Sequence, residues 1–229
     1  IASLVLPADA SWGELTSDYR NQRIVIPATP APGSDRVAAA AAAIRSKKTA
    51  LFLGYDGVRL PALSLAHRIG AHNGIRVMSE TFPTIQDRGV GAFQPDRLIY
   101  LSEFAVGQLR DLEAIVLVGA RAPIGFFGYP DIPSELLPPG CEVITLSEPG
   151  LDAVAGLEAL CDELGAAPVS APSGERPSVP SGDLTTLSFA QAVAATLPEE
   201  DADQVASIPN VVGSYLIDFP CAQGICVAP

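Results

Sequence analysis

Short apolar segments that alternate with helical segments constrain the fold of this chain more than any other feature. Four segments are apolar without the alternating polar residues of a half-buried strand. Such continuous apolar runs are typical of strands buried on both faces of a parallel sheet. They are "ALFLG" (50–54), "IRVMS" (75–79), "AIVLVGA" (114–120) and "CEVITLS" (141–147). Because alternating strands and helices imply right-handed crossovers, we predict a Rossmann-like α/β domain over residues 34–165, with helices on both faces of a parallel sheet.

Helix boundary signals lie between these predicted strands. Ser34 or Asp35 is the predicted N-cap of an Ala-rich helix. Pro61 stands at the first position of a second helix, and Gly74 follows its end. "EFAVGQLRDL" indicates a third, short helix, and "LDAVAGLEALCDELG" indicates a fourth that ends at Gly165.

Composition excludes several classes of function. The chain carries a net charge of −12, unlike the basic surface of a nucleic-acid-binding protein. No apolar run reaches the roughly 18 residues that a membrane span needs, and no signal-peptide pattern is found. We therefore expect a cytoplasmic protein without nucleic-acid or membrane partners.

The four cysteines predict neither a disulfide framework nor a metal site. Cys141 starts a predicted strand and Cys161 lies in a predicted helix, as expected of buried thiols in a reducing compartment. Cys221 and Cys226 form a C-x4-C pair with no second pair and no neighbouring histidine. A structural zinc site needs four ligands, so we predict no metal ligands in this chain.

Turns that follow the predicted strands hold the candidate ligand-binding residues, because ligands of open α/β sheets bind outside the carboxyl ends of the strands. Gly54 and Gly57 of "GYDG" follow the first strand, and Arg121 follows the strand at 114–120. One interpretation is phosphate or dinucleotide binding, in which Arg121 contacts a phosphate or a carboxylate. The other is a turn that needs glycine for its backbone angles, with Arg121 in a structural ion pair.

An apolar loop and two histidines permit only general interpretations. "PIGFFGYP" places Phe126, Phe127 and Tyr129 between glycine and proline. Such a loop suits an interdomain or subunit contact, and it could equally fold back on its own domain. His67 and His72 are five residues apart and share no helical face, which favours a surface or capping role over metal binding.

No catalytic set is found by motif or spacing. Glu80, Asp87 and Arg88 lie in a long loop that could carry function, but their spacing predicts no geometry. The sequence contains no nucleophile elbow and no phosphate-binding P-loop. From the residues alone, the chain is a Rossmann-like block with Pro- and Ser-rich segments on each side.

Extended stretches of the chain resemble the thiamine diphosphate-dependent enzymes. "LVLPADASWGE" resembles the last strand of their pyrimidine-binding domain, and the block from "TALFLGYDG" to "ALCDELG" resembles their central domain. "SETFPTIQDRGVG", "RLIYLSEFAVGQL", "VLVGARAPIGFFGYPDIPSELLPPGCEV" and "LSEPG" are similar to acetolactate synthase-like large subunits. "PSGDLTTLSFAQAVAATLPE" resembles the linker and first helix of the C-terminal, diphosphate-binding domain.

The resemblance is collinear and implies a division of the chain into segments. The implied segments are a remnant of the pyrimidine-binding domain with its last strand (1–14), a linker (15–33), the central domain (34–165), a second linker (166–183), the first helix of the diphosphate-binding domain (184–200) and a divergent tail (201–229). The tail matches nothing expected of the family, which a frameshift, a misassembled gene or a divergent terminus would each explain.

The family chemistry that this resemblance implies is specific. Thiamine diphosphate lies between the first and third domains, Mg²⁺ bridges its phosphates, and a 2-oxo acid such as pyruvate is decarboxylated and joined to a second oxo acid. A cytoplasmic homo-oligomer of branched-chain amino acid biosynthesis is implied. The family's first-domain glutamate and Gly-Asp-Gly segment are not found here, so we assign no catalytic or metal residue and expect a fragment that is inactive alone.

Three alternatives stay open beside this interpretation. Some relatives bind FAD or ADP in the central domain, near the positions of Gly54, Gly57 and Arg121, although no FAD-specific segment is found. The chain could instead derive from a decarboxylase of the benzoylformate type in the same family. It could also be a nucleotide-binding or scaffold module without catalysis.

Overall fold

The structure is a computed structural model that describes residues 5–14, 25–87, 92–128, 130–170 and 178–196. Some of the sequence predictions concern residues outside these ranges. They are the predictions for Leu4, Arg88, Tyr129, Cys221, Cys226 and the tail at 201–229.

A single parallel sheet organises the chain. Its strands are β1 (Thr49–Leu53), β2 (Arg76–Ser79), β3 (Asp96–Arg97), β4 (Ala114–Val118) and β5 (Glu142–Ser147). Their spatial order is β3-β2-β1-β4-β5, and each neighbouring pair is parallel. Every residue of the central strands β1 and β4 is buried, which explains their uninterrupted apolar sequence. The predicted parallel α/β sheet is confirmed.

Helices connect the strands and extend beyond them. They are α1 (Ala8–Trp12), α2 (Ser34–Ser46), a 3-10 helix (Tyr55–Val58), α3 (Leu60–Asn73), α4 (Ser102–Leu109), α5 (Ala153–Leu164) and α6 (Thr186–Thr196). In the parts of the chain that the structure describes, each helix is too short or too polar to cross a bilayer.

Two apolar layers cover the two faces of the sheet, as the sequence predicted. Successive residues of a strand point to opposite faces. Leu51 and Leu53 of β1 therefore pack with the buried faces of α2, α3 and α5. Ala50 and Phe52 point the other way and pack with Ala105 and Leu109 of α4 and with nearby loop residues.

Helix ends follow the predicted signals in most places. Gly74 and Gly165 adopt left-handed angles (φ 65° at both) directly after α3 and α5, where glycine carries no steric cost. The Asp152 carboxylate caps α5 by accepting from the Ala155 N–H at 3.0 Å. Two predicted helix starts are wrong by one or two residues. Gly33, rather than Ser34 or Asp35, is the N-cap of α2 and makes no side-chain bond, and Pro61 is the second rather than the first residue of α3.

The chain before α2 differs from expectation. Val5 and Leu6 are largely exposed and lie in no strand, and α1 (Ala8–Trp12) occupies part of the segment that resembles the family's last strand. Further along, the end of the predicted linker packs on the domain. The Asp152 N–H donates to the Pro30 carbonyl at 2.9 Å, and residue 32 lies against the middle of α5.

The thiols in the described part of the chain are free. Cys161 is buried in α5, as predicted, whereas Cys141 lies one residue before β5 and is only half-buried. Burial raises the pKa of both thiols, which keeps them protonated and unreactive near neutral pH.

Candidate functional site

The strand order places a topological switch point between β1 and β4. Connections from these two adjacent strands run in opposite directions across the sheet, to β2 and to β5, so a crevice is expected at their carboxyl ends. Gly54 follows β1, Gly119 follows β4, and Glu80 follows the neighbouring strand β2. The sequence-predicted residues Gly54, Gly57 and Arg121 are therefore brought to the same edge of the sheet.

Glycines at this edge allow two backbone turns to touch. A Cβ at Gly119 would lie 2.5 Å from the Gly54 carbonyl oxygen, and a Cβ at Gly57 would lie 2.7 Å from the Val118 oxygen. Both distances are far below van der Waals contact, so neither position accepts a larger residue. Gly119 also has φ 64°, whereas Gly54 is extended. Glycine is thus needed at Gly57 for space, whereas at Gly54 the backbone is extended and only the Glu80 side chain lies close.

Glu80 fills the space beside Gly54. A Cβ on Gly54 would lie 2.6 Å from the Glu80 carboxyl carbon, and the Arg121 backbone N–H points to Glu80 Oε1 at a long 3.5 Å. Burial raises the pKa of Glu80, while the Arg121 N–H and guanidinium oppose that shift. Arg121 itself is exposed, so its side chain faces solvent at the rim of the crevice.

Asp87 occupies the N-terminus of α3, the helix that follows this turn. Its Oδ2 accepts from the Leu60 N–H at 2.6 Å, and its Oδ1 lies 3.1 Å from Arg59 Nη1 in an ion-pair contact. The Asp87 N–H donates to the Val58 carbonyl at 3.1 Å, which fixes the loop that carries it. Asp87 is only 5% exposed, so it is part of the interior rather than of the rim.

These residues do not fit a bound diphosphate. In dinucleotide-binding sheets the pyrophosphate approaches a glycine turn after β1 and receives N–H groups from the following helix. Here the glycine turn is packed against Gly119. The Leu60 N–H already donates to Asp87, and Pro61 has no N–H group. Two carboxylates, from Glu80 and Asp87, would repel a phosphate. Nucleotide binding through Gly54, Gly57 and Arg121 stays a prediction that this geometry does not favour.

Aromatic side chains form a cluster beside the crevice. Phe82, Tyr100, Phe126 and Phe127 contact one another with ring centroids 4.9 to 6.2 Å apart. The side chains of Phe126 and Phe127 nevertheless remain 63% and 51% exposed. All four rings follow carboxyl ends of strands. The loop thus packs partly on its own domain, one of the two interpretations of its sequence, and leaves an exposed apolar surface at this edge of the sheet.

The described residues contain no cluster of three or more histidine, cysteine or acidic side chains that could hold a metal ion. His67 stacks on Phe93 with centroids 4.6 Å apart, a packing role that the sequence did not predict. Within the described ranges we find no nucleophile paired with a base. The residues present therefore do not fit Mg²⁺ or the reactive end of thiamine diphosphate.

The positions of Glu80 and Asp87 in the fold were not predicted from the sequence. Glu80 directly follows a predicted strand, a position that in a parallel sheet always lies at the ligand-binding edge. That signal was available from the sequence. Asp87 carried none, because it is seven residues further along an irregular loop and reaches α3 only through the fold.

Solved structures of other proteins share this fold. An enzyme of Mycobacterium smegmatis, described as thiamin diphosphate-dependent, matches with a TM-score of 0.56 over 91% of this chain and 49% of its own, at 17% identity. The thiamine diphosphate-dependent 4-hydroxybenzoylformate decarboxylase of Rhodococcus jostii RHA1 matches with a TM-score of 0.55 over 81% and 39%, at 17% identity. The fold is thus that of a domain found in thiamine diphosphate-dependent enzymes.

A sequence relative narrows the class. The "Putative acetolactate synthase large subunit IlvX" of Mycobacterium tuberculosis (strain H37Rv) is 44% identical over 201 residues, which span 87% of this chain and 38% of the relative. The chain belongs to the acetolactate synthase-like large subunits of the thiamine diphosphate-dependent family, as its sequence indicated. It spans little more than a third of that relative's length. No protein-family model matches the chain.

Proposed function

We propose that this chain supplies the central domain of an acetolactate synthase-like large subunit. The observation that carries this proposal is the 44% identity over 201 residues, joined to a parallel sheet of the family's fold. In the proposed role, thiamine diphosphate and Mg²⁺ are held outside the described residues, and the cofactor supplies the carbanion chemistry for 2-oxo acids such as pyruvate. The domain contributes shape and position rather than reacting groups.

Several finer features belong to the same proposal. The full subunit would act in branched-chain amino acid biosynthesis in the cytoplasm. We favour carboligation over simple decarboxylation because the relative that is 44% identical is an acetolactate synthase-like subunit, whereas likeness to the decarboxylase extends to fold alone.

The experiment is a calorimetric titration of the purified chain with thiamine diphosphate and Mg²⁺, together with an acetolactate assay on pyruvate. An acetolactate-forming large subunit of the family serves as the positive control. We expect saturable binding and product with the control and neither with this chain. Saturable cofactor binding or acetolactate formation by the chain alone would contradict the proposal that the cofactor is held outside this domain.

The aromatic cluster favours a second role, as a contact surface between two copies of the chain. The four rings pack together, and two of them are more than half exposed, so they form an apolar patch in contact with water. Burying such a patch against a second copy of the chain is favourable. Sedimentation velocity of the double variant Phe126→Ser/Phe127→Ser tests this role. We expect the unaltered chain to self-associate and the double variant to sediment as a monomer.

The matched control is Trp12→Ser, because Trp12 is 88% exposed but lies in α1, far from the cluster in sequence. It should leave self-association unchanged. If the parent chain is strictly monomeric, the aromatic cluster is not a contact surface between two copies.

A further inference from the structure

We propose that Asp87 is an internal ligand that takes the place of a phosphate at the N-terminus of α3, so that this domain excludes phosphate-bearing nucleotides. The proposal concerns this chain alone and does not depend on which reaction the longer subunit performs.

The location of Asp87 is the first argument. In a sheet of this strand order, the helix that follows β1 points its N-terminus at the phosphates of a nucleotide. That helix is α3, and its first N–H, from Leu60, is already bound to Asp87 Oδ2 at 2.6 Å. An anion at a helix N-terminus is stabilised by the unpaired N–H groups and by the helix dipole, whether it comes from a ligand or from the protein.

The cation beside Asp87 is the second argument. Arg59 Nη1 lies 3.1 Å from Asp87 Oδ1, although that buried oxygen has no aligned hydrogen bond. An N–H and a guanidinium converging on one oxyanion are the donors that proteins use to bind phosphate. The position therefore has the chemistry of an anion site, and it is filled from within.

Glu80 adds a second carboxylate to the same edge of the sheet. It lies against Gly54, where its nearest oxygens would be 2.8 Å from a Cβ at that position. A dinucleotide that reached the crevice would meet this carboxylate after the backbone turn. A carboxylate in this partly buried position repels a phosphate, and the exposed Arg121 compensates only one of the two carboxylates.

Chemical rescue by a small oxyanion tests the proposal. Thermal unfolding is followed for the parent, for Asp87→Ala and for Glu148→Ala, in sodium phosphate and in sodium chloride of equal ionic strength. Glu148 is the matched control because its ion pair with Arg36 has the same length of 3.1 Å, but its side chain is 58% exposed. The parent is also titrated calorimetrically with ADP and FAD.

We expect ADP and FAD to give no saturable heat with the parent. We expect phosphate to raise the Tm of Asp87→Ala by about 2–4 °C more than that of the parent or of Glu148→Ala, because only that variant has an empty anion site. Saturable binding of either nucleotide by the parent, or equal phosphate effects in all three proteins, would overturn the proposal.

A second variant covers the case in which Asp87→Ala does not fold. Asp87→Asn keeps an oxygen that accepts from the Leu60 N–H and still fills the position. It should therefore fold, lose stability and gain nothing specific from phosphate. A specific phosphate rescue of Asp87→Asn would contradict the claim that the side chain occupies the anion site, and the parent titrations apply in either case.

Discussion

Gly119 shows at the scale of one residue how the two central turns are held together. Its φ of 64° alone disfavours any other residue, but Gly74 and Gly165 share that angle. What distinguishes Gly119 is the Gly54 carbonyl oxygen, 2.5 Å from the position of a Cβ, whereas nothing lies within 4 Å of a Cβ at Gly74. Comparing Gly119 with Gly74 therefore separates the cost of backbone strain from the cost of the close approach of two turns.

We predict that Gly119→Ala costs about 3 kcal/mol or more of unfolding free energy, because strain and a backbone clash combine. Gly74→Ala, the control, should cost about 1–2 kcal/mol from strain alone. Urea denaturation of both variants measures the difference. Equal costs would mean that the turns do not touch as the structure has them.

Glu80 gives a prediction with a defined dependence on pH. Burial raises its pKa above the ordinary value of 4.5, so between that value and its folded-state value the folded protein binds more protons than the unfolded chain. Its contribution to stability is therefore present at acid pH and is lost as the pH rises. Glu80→Gln carries no charge and escapes this loss.

The stability of Glu80→Gln relative to the parent should thus increase between about pH 4 and about pH 7. Urea midpoints at the two pH values measure it, with the exposed Glu14→Gln as control. A relative stability that stays constant or falls would show that Arg121, rather than burial, dominates the environment of Glu80.

Residue roles were predictable from the sequence only in part. Gly54, Gly57 and Arg121 were placed at the correct edge of the sheet, because glycine and a charged residue after an apolar strand indicate that edge. The reason for Gly57 was not predictable, since a Cβ there would meet the Val118 carbonyl oxygen on the neighbouring strand β4. The partner of Asp87 was equally inaccessible, because it lies 27 residues away.

At the scale of elements, burial decided which predictions succeeded. Strand β4 was recognised to within two residues because it is buried on both faces and therefore apolar throughout. Strand β3 has only two residues, Asp96 and Arg97, and no pattern of that length is informative. At the opposite edge, Val143 of β5 is 46% exposed although its sequence looks fully buried. Periodicity does not tell an edge strand from a central one.

The two-layer arrangement predicts that helices on both faces are needed for stability. Leu157 of α5 and Leu109 of α4 are completely buried on opposite faces. Each substitution to alanine should cost about 2–5 kcal/mol. Leu184→Ala, at a residue that is 82% exposed, should change the unfolding free energy by less than about 0.5 kcal/mol.

Urea denaturation of the three leucine variants provides the measurement. A cost for Leu109→Ala as small as that for Leu184→Ala would contradict a packed layer on the α4 face.

At the scale of the whole molecule, fold and family followed from the sequence but the chemistry did not. Alternating elements fixed a parallel sheet, and collinear stretches indicated thiamine diphosphate-dependent enzymes. Near the carboxyl edge of the sheet, the described residues provide two carboxylates, a close-packed glycine turn and an exposed aromatic cluster, and they contain no cluster of metal ligands. These features agree with the proposed role as a central domain that contributes shape and position rather than reacting groups.

The most direct test of this account is acetolactate formation by a chimera. Residues 34–165 of this chain would replace the matching segment of an acetolactate synthase large subunit that is itself active on pyruvate. We predict that the chimera depends on thiamine diphosphate and keeps kcat/KM within about tenfold of the parent, a loss of about 1.4 kcal/mol at most. A chimera that unfolds cooperatively and has the parent's oligomeric state, yet makes no acetolactate, would contradict the assignment of this chain as the central domain.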